Sequence, residues 1–319
     1  MQQKLSRRGF FGLGTAFAVS SVLAAPESTV TIDPNLSILI SDPHVPAQDV
    51  PLIDPKDNDF PNQMYERLVA TVDEILAMRP RPAVVACLGD IAYLRGRAAD
   101  YKVSRPVLKR LEDAGIRLVL GMGNHDHREA FFESWPDRRA KSPVAGLVID
   151  EASLGPVDLI MLDTLWENKM PESGNKGSGL VETEQLAWMK EDLPKRTRPF
   201  LLASHQSPRD VMLGKETLDR FATKLPMCRG LVHGHNHAWN VSRTCQWYGS
   251  YRVLRAVGIP SVGFWGDIGY AVCRAYPDRV EVTNVQTDFY FPRYRKENRP
   301  VDWSVITRDN NGLHCTFVL

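Results

Sequence analysis

The sequence predicts an α/β fold, and two observations carry that prediction. Short apolar runs bounded by turn residues alternate with stretches whose apolar residues recur every three or four positions. Nearly every apolar run is followed at once by Asp, Asn or His, as expected where side chains gather at the carboxyl ends of strands.

In chain order, buried strands are expected at residues 37–41, 83–88, 117–121, 158–163, 200–204 and 231–234. The helical stripes between them are Met64, Leu68, Val72, Ile75 and Leu76, then Val107, Leu108 and Leu111, then Leu186, Met189 and Leu193. These stripes are core faces. After about Cys245 the texture changes to strand-like alternation, at residues 251–257, 270–275, 280–285 and 314–318, so β-rich pairing is expected there. Residues 47–61 and 166–179, rich in Pro, Asp, Asn and Gly, read as loops, with 169–179 as a mobile rim. No repeat or linker divides the chain, so residues 26–319 are expected to form one domain.

The 319 residues are 43% hydrophobic and 24% charged, enough apolar material for a full core. Formal charge is only +1, and three of the basic residues, Lys4, Arg7 and Arg8, fall in an expected leader. Such a balance lacks the basic footprint of a dedicated nucleic-acid binder. Five cysteines without a CxxC pair exclude a zinc ribbon and a dense disulfide framework, and Cys87 reads as a buried core thiol.

Residues 1–25 combine a basic start with an acid-free apolar run of about 15 residues, too short to span a bilayer of roughly 30 Å. Val22-Leu23-Ala24 offers a small-x-small cleavage site, so a cleaved signal is expected and no membrane anchor after cleavage. Ser6-Arg7-Arg8-Gly9-Phe10-Phe11 resembles the twin-arginine export signal. That resemblance implies the twin-arginine machinery as a partner and a periplasmic or secreted product.

Seven of the eight histidines fall in four short windows, each after an apolar run and beside Gly, Asn or Asp. Single histidines are ordinary structural residues; this clustering points to a metal site. In order, the windows and their partners are Asp42-Pro43-His44, Gly89-Asp90, Gly123-Asn124-His125-Asp126, His205, and Gly234-His235-Asn236-His237. The series, spanning roughly residues 37–238, resembles the calcineurin-like metallophosphoesterase family in motif identity, order and spacing.

The resemblance implies a four-layer α/β/β/α sandwich with two mixed sheets, and two adjacent transition-metal ions. Asp42, His44, Asp90 and His237 would hold the first, and Asp90, Asn124, His205 and His235 the second. Asp90 would bridge them, a carboxylate having an oxygen for each ion. Mixed nitrogen and oxygen donors suit Fe, Mn or Zn above all. His125 is then free to protonate a leaving oxygen, with Asp126 behind it as an orienting carboxylate. Glycines 89, 123 and 234 are expected at sharp turns or close backbone approaches. The implied function is phosphoester hydrolysis by metal-activated water on a small phosphodiester or phosphomonoester. The Asp-x-His motif and the length favour the cyclic-nucleotide phosphodiesterase branch, although Ser204-His205-Gln206 replaces the doubled His common there. An acid-phosphatase-like monoesterase is the alternative. A non-catalytic scaffold would be expected to have lost ligands, and a nuclease to carry a basic surface excess.

Weaker signals surround the motifs. Gly89-Asp90-Ile91-Ala92-Tyr93 is similar to the Gly-Asp-x-x-Tyr motif of purple acid phosphatases, whose tyrosine ligates ferric iron; here His44 already fills that position, and Tyr93 reads as a half-buried aromatic. His127 and His233 read as exposed bystanders, Arg95 and Arg97 as either phosphate contacts or a solvated loop, and the Arg293, Arg295, Lys296, Arg299 cluster as a polar loop.

Overall fold

The computed structural model describes residues 30–47, 60–167, 177–244, 252–263, 266–290 and 310–319. The leader, Cys245 and the Arg293–Arg299 cluster lie outside them, as does most of the expected rim at 169–179. Residues Thr31–Leu319 cluster as one unit. No helix among the described residues is long and apolar enough to cross a membrane.

Two six-stranded mixed sheets form the centre. Strands β1 (Ile32–Ile40), β2 (Arg81–Cys87) and β3 (Arg117–Leu120) run parallel and side by side, and the antiparallel β13 (Gly266–Tyr276), β14 (Arg279–Tyr290) and β15 (His314–Val318) continue that sheet from β1. The second sheet has β5 (Val157–Met161), β7 (Phe200–Ser204), β10 (Cys228–His233) and β12 (Arg255–Gly258) in parallel. β4 (Asp150–Leu154) and β11 (Asn240–Arg243) lie antiparallel at its edges. A small third sheet joins β6 (Gly179–Leu180), β8 (Val211–Leu213) and β9 (Glu216–Thr217).

The central strands of both main sheets are buried on both faces, which is why they read as continuous apolar runs. The two-residue alternation of strands then sorts side chains among three cores. Ile38, Ile40, Val85, Cys87, Leu118 and Leu120 pack toward α1 (Phe60–Ala77), α2 (Ala98–Asp113) and α3 (Arg128–Ser134). Their neighbours Leu39, Val84, Ala86 and Val119 meet Leu159, Met161, Leu201, Ala203 and Val232 between the sheets. On the far side Ile160, Phe200, Leu202 and Leu231 pack against α5 (Thr183–Asp192) and α6 (Leu218–Thr223) through Met189, Leu218 and Phe221. The α/β/β/α order of layers follows.

In the helical stripe of α1, Met64, Leu68, Val72 and Ile75 are each at 0% exposure, and Leu76 is partly buried. Two elements escape periodicity. The short helix α4 (Pro136–Lys141) presents mostly charge, and Arg138 is buried by pairing with Glu112 and Asp150. In β4, Asp150 also meets Arg117, and Glu151 pairs with Arg196 at 2.7 Å. Cys87, Cys228, Cys273 and Cys315 are free and buried. Burial pushes the Cys228 and Cys273 thiols up to about 12.

Candidate metal centre

The five motifs follow five strands that run parallel within their own sheets. Asp42 and His44 follow β1, Asp90 follows β2, Asn124 and His125 follow β3, His205 follows β7, and His235 and His237 follow β10. Because β1, β2 and β3 are neighbours in one sheet and β7 and β10 in the other, their carboxyl ends bring residues up to 195 positions apart (237 − 42) into one cluster. Backbone bonds extend the ladders into the loops, from Asp42 N to the Gly89 carbonyl (3.1 Å), His44 N to Asp90 (3.0 Å) and Gly234 N to His205 (3.0 Å).

These loops are strained. Asp42, His44, Asp90, His235 and His237 all adopt positive φ, between 46° and 65°. Non-glycine residues rarely do so, and clusters of such strain mark sites whose surroundings over-determine them. Close approach explains two glycines: a Cβ on Gly123 would fall 2.1 Å from Asp90 Oδ1, and one on Gly234 would fall 2.7 Å from Asp42 Oδ2.

The donor atoms form two groups, Asp42, His44 and His237, and Asp90, His205 and His235, each compact enough to hold a metal ion. In the first, Asp42 Oδ1 lies 3.1 Å from His237 Nε2 and 3.7 Å from His44 Nε2, and the two Nε2 atoms are 3.4 Å apart. In the second, His205 Nε2 lies 3.1 Å from Asp90 Oδ2 and 3.1 Å from Asn124 Oδ1, so the amide joins this group. Donors bound at about 2.0–2.2 Å to a common ion stand roughly 3–3.5 Å from one another. Asp42, His44, Asp90 and His205 are at most 1% exposed, whereas His235 and His125 are half-buried and form the open side.

The hydrogen-bond chemistry fits a cation. His205 Nδ1 donates to the Leu88 carbonyl at 2.9 Å, which leaves Nε2 of the neutral ring with a lone pair. That lone pair faces a carboxylate oxygen and an amide oxygen, acceptor against acceptor, an arrangement that only a proton or a metal ion reconciles. Electrostatics agree. Burial alone would lower the His205 pKa, but Asp90 and Asp42 outweigh it and push it up to about 9. Burial likewise opposes ionisation of Asp42 and Asp90, yet the surrounding rings, His237 and His205 for Asp42 and His205, His125 and His44 for Asp90, hold both well below the carboxylate range. Burial carries His44 and His235 down to about 4, so both stay neutral and able to ligate.

Several expectations need correction. Asp90 does not offer one oxygen to each group: Oδ1 accepts the His125 N–H at 2.7 Å, and Oδ2 alone lies against both His205 Nε2 (3.1 Å) and His44 Nε2 (3.4 Å). Asp126 does not orient the His125 ring, whose Nδ1 lies 2.9 Å from the Leu94 carbonyl. Instead Asp126 accepts from Gly123 N (2.8 Å), Ala92 N (3.0 Å), Ile91 N (3.3 Å) and Tyr101 Oη (2.9 Å), tying the Asp90 loop to the Asn124 loop. Burial and the nearby Asp90 push its carboxyl up to about 7. His233 is buried, with Nδ1 3.0 Å from the Gly234 carbonyl, while the exposed His127 caps α3 by accepting from Ala130 N. Tyr93 is only 2% exposed. Arg97 caps α2 with Asp100, and Arg95 is exposed. Gln206 is buried and accepts from Thr164 Oγ1 at 2.6 Å.

Sequence reasoning missed Arg128, whose side chain is 7% exposed. It forks onto Asp163 (2.8 and 2.9 Å) and reaches Glu167 and Glu182, fixing the start of α3 just after His125. Its position after a motif was the available signal, but its partners lie some 35 residues or more away.

Similarity to known proteins agrees with this geometry. A probable cyclic nucleotide phosphodiesterase from Rhodopseudomonas palustris is 34% identical over 154 residues, 46% of this chain and 51% of that protein, so the chain spans about half the length of the curated relative it matches. A dimetal phosphatase from Danio rerio superposes with a TM-score of 0.57 at 16% identity, covering 78% of this chain and 96% of that one, which shows the shared fold. Residues 37–239 match the model of the calcineurin-like phosphoesterase family and contain every residue of the two groups, and the chain belongs to that family.

Proposed function

We propose that the protein is a binuclear-metal phosphoesterase that hydrolyses a small phosphodiester, exported through its twin-arginine leader to the periplasm or beyond. The observation that carries this reading is the pair of donor groups meeting at Asp90 Oδ2. Asp42, His44, Asp90 and His237 would hold one ion, and Asp90, Asn124, His205 and His235 the other. The chemistry such a pair would supply when bound is an acidified water and charge neutralisation for the phosphoryl oxygens of an in-line displacement.

The chain's own residues do the rest. The Leu94 carbonyl accepts from His125 Nδ1, which leaves Nε2 of this half-buried ring to protonate the departing oxygen. Asp126 holds the two loops that carry Asp90, Asn124 and His125, which sets where that proton is delivered. The name of the curated relative supports a diester substrate of the cyclic nucleotide class. A monoester substrate is the second reading, supported by Gln206 in the place of a second histidine.

Matched chromogenic phosphate diesters and monoesters, offered to metal-analysed protein, test both. Diester preference is expected, and monoester preference would replace the first reading by the second. His125→Ala is expected to slow turnover by roughly 10²–10⁴-fold, the usual worth of a positioned proton donor, with metal content unchanged. Loss of metal in that variant would remove His125 from the proton-transfer role.

A further inference from the structure

The family match ends at residue 239, yet the first donor group is braced from beyond it. The turn between β12 and β13 crosses the carboxyl end of β1. Val262 N donates to the Ser41 carbonyl at 2.8 Å, and the Asp42 carbonyl accepts from Ser261 Oγ (2.9 Å) and Gly263 N (3.3 Å). At the other end of the turn, Asp267 N donates to the His237 carbonyl at 2.8 Å, while Asp267 Oδ2 accepts the Trp239 N–H at 2.9 Å. Asp267 therefore grips the chain on both sides of residue 238.

The described residues on either side of this turn are themselves bonded in place. Ser261 N donates to the Asp267 carbonyl (2.9 Å), Asn310 Nδ2 to Asp267 Oδ2 (2.9 Å), and Arg67 of α1 to the Gly263 carbonyl (3.3 Å). The fit is close, for a Cβ on Gly263 would fall 2.2 Å from the Pro43 oxygen and one on Gly266 2.2 Å from the His237 oxygen. Asp42 and His237 both sit at positive φ, 54° and 50°, a conformation that persists only where neighbours enforce it. Besides the Ser41 carbonyl, the carbonyls that the turn grips are those of these two residues.

We infer that residues 261–263 and 266–267 are a positioning element for the Asp42–His44–His237 group, with Asp267 as its chief residue, and that they set the affinity of the ion held there. This rests on the two-metal reading. Asp42 and His237 lie 3.1 Å apart through Oδ1 and Nε2, so a turn that fixes both backbones fixes the opening between two donors of one ion.

The test titrates chelated protein with Mn²⁺ alone and counts equivalents bound. Wild type is expected to bind two. In Asp267→Ala one equivalent is expected to weaken by roughly 10–100-fold, the usual effect of losing an outer partner of a ligand, while the other keeps its affinity. Asp267→Asn retains an oxygen for the Trp239 N–H and is expected to restore most of the loss. Should Asp267→Ala fail to fold by circular dichroism, Ser261→Ala is read instead, with a smaller weakening of the same single equivalent. Two equivalents at wild-type affinity, or equal weakening of both, would overturn the inference. Wild-type protein that binds no ion would overturn the two-metal reading first.

Discussion

Asp90→Asn is expected to abolish metal loading and to reduce hydrolysis by more than about a hundredfold, since losing even an outer partner of a ligand costs roughly 10–100-fold. The geometry explains why a nearly isosteric change is so damaging. Asp90 Oδ1 accepts the His125 N–H at 2.7 Å, so an asparagine keeps its carbonyl oxygen there. Its amino group then takes the place of Oδ2 and points donor hydrogens at His44 Nε2 and His205 Nε2, where both groups need a lone pair. The flipped amide is no better, because it sets N–H against N–H at His125. Metal analysis beside diester hydrolysis checks this, and a variant holding two ions at near wild-type activity would remove Asp90 from the bridging position.

The layers of the fold were legible because strands buried on both faces leave uninterrupted apolar runs, as at Val84–Leu88 and Phe200–Ser204. β4 was not, because Asp150 and Glu151 are paid for by Arg117, Arg138 and Arg196, partners that local pattern does not reveal. Helix α3 was missed for a different reason: at seven residues it completes barely two turns.

In the site, residue types were legible because each motif directly follows a strand, but atoms were not. Which oxygen of Asp90 faces the ions depends on a loop 35 residues away that offers the His125 N–H. The partner of Asp126 depends on Tyr101, on a helix outside every motif. The turn residues 261–263 and 266–267 left no sequence signal, since most of their bonds are to backbone carbonyls and amides that any residue supplies.

Chelating the ions is expected to abolish hydrolysis and to give the protein a pH dependence of stability that the loaded form lacks. Burial pushes His44, His233 and His235 down to about 4, whereas unfolded histidines titrate near 6.5. Between pH 4 and 6.5 the unfolded chain therefore binds more protons at these three positions, and stability rises with pH. Asp126, pushed up to about 7 by burial and Asp90, opposes this with one proton that the native state retains, and Asp100 and Asp150, raised by burial, oppose it at the acid end, so the three histidines govern the rise toward 6.5. Asp42 and Asp90 are held low and act only below this range. His205 has the opposite sign. With its pKa raised to about 9, it contributes fully below 6.5, and that contribution is lost as pH rises from 6.5 through 9. The loss is on the order of a few kcal/mol. Metal-free protein should thus be most stable near pH 6.5 and weaken toward 9. A cation at His205 Nε2 takes the place of the proton, so the loaded protein loses this downward limb and metal binding tightens as pH rises. Thermal midpoints with chelator and with Mn²⁺ across this range decide the matter. Parallel curves between 6.5 and 9 would mean that His205 holds neither the proton nor the ion, whereas curves that diverge with rising pH would mark it as the position where the two compete.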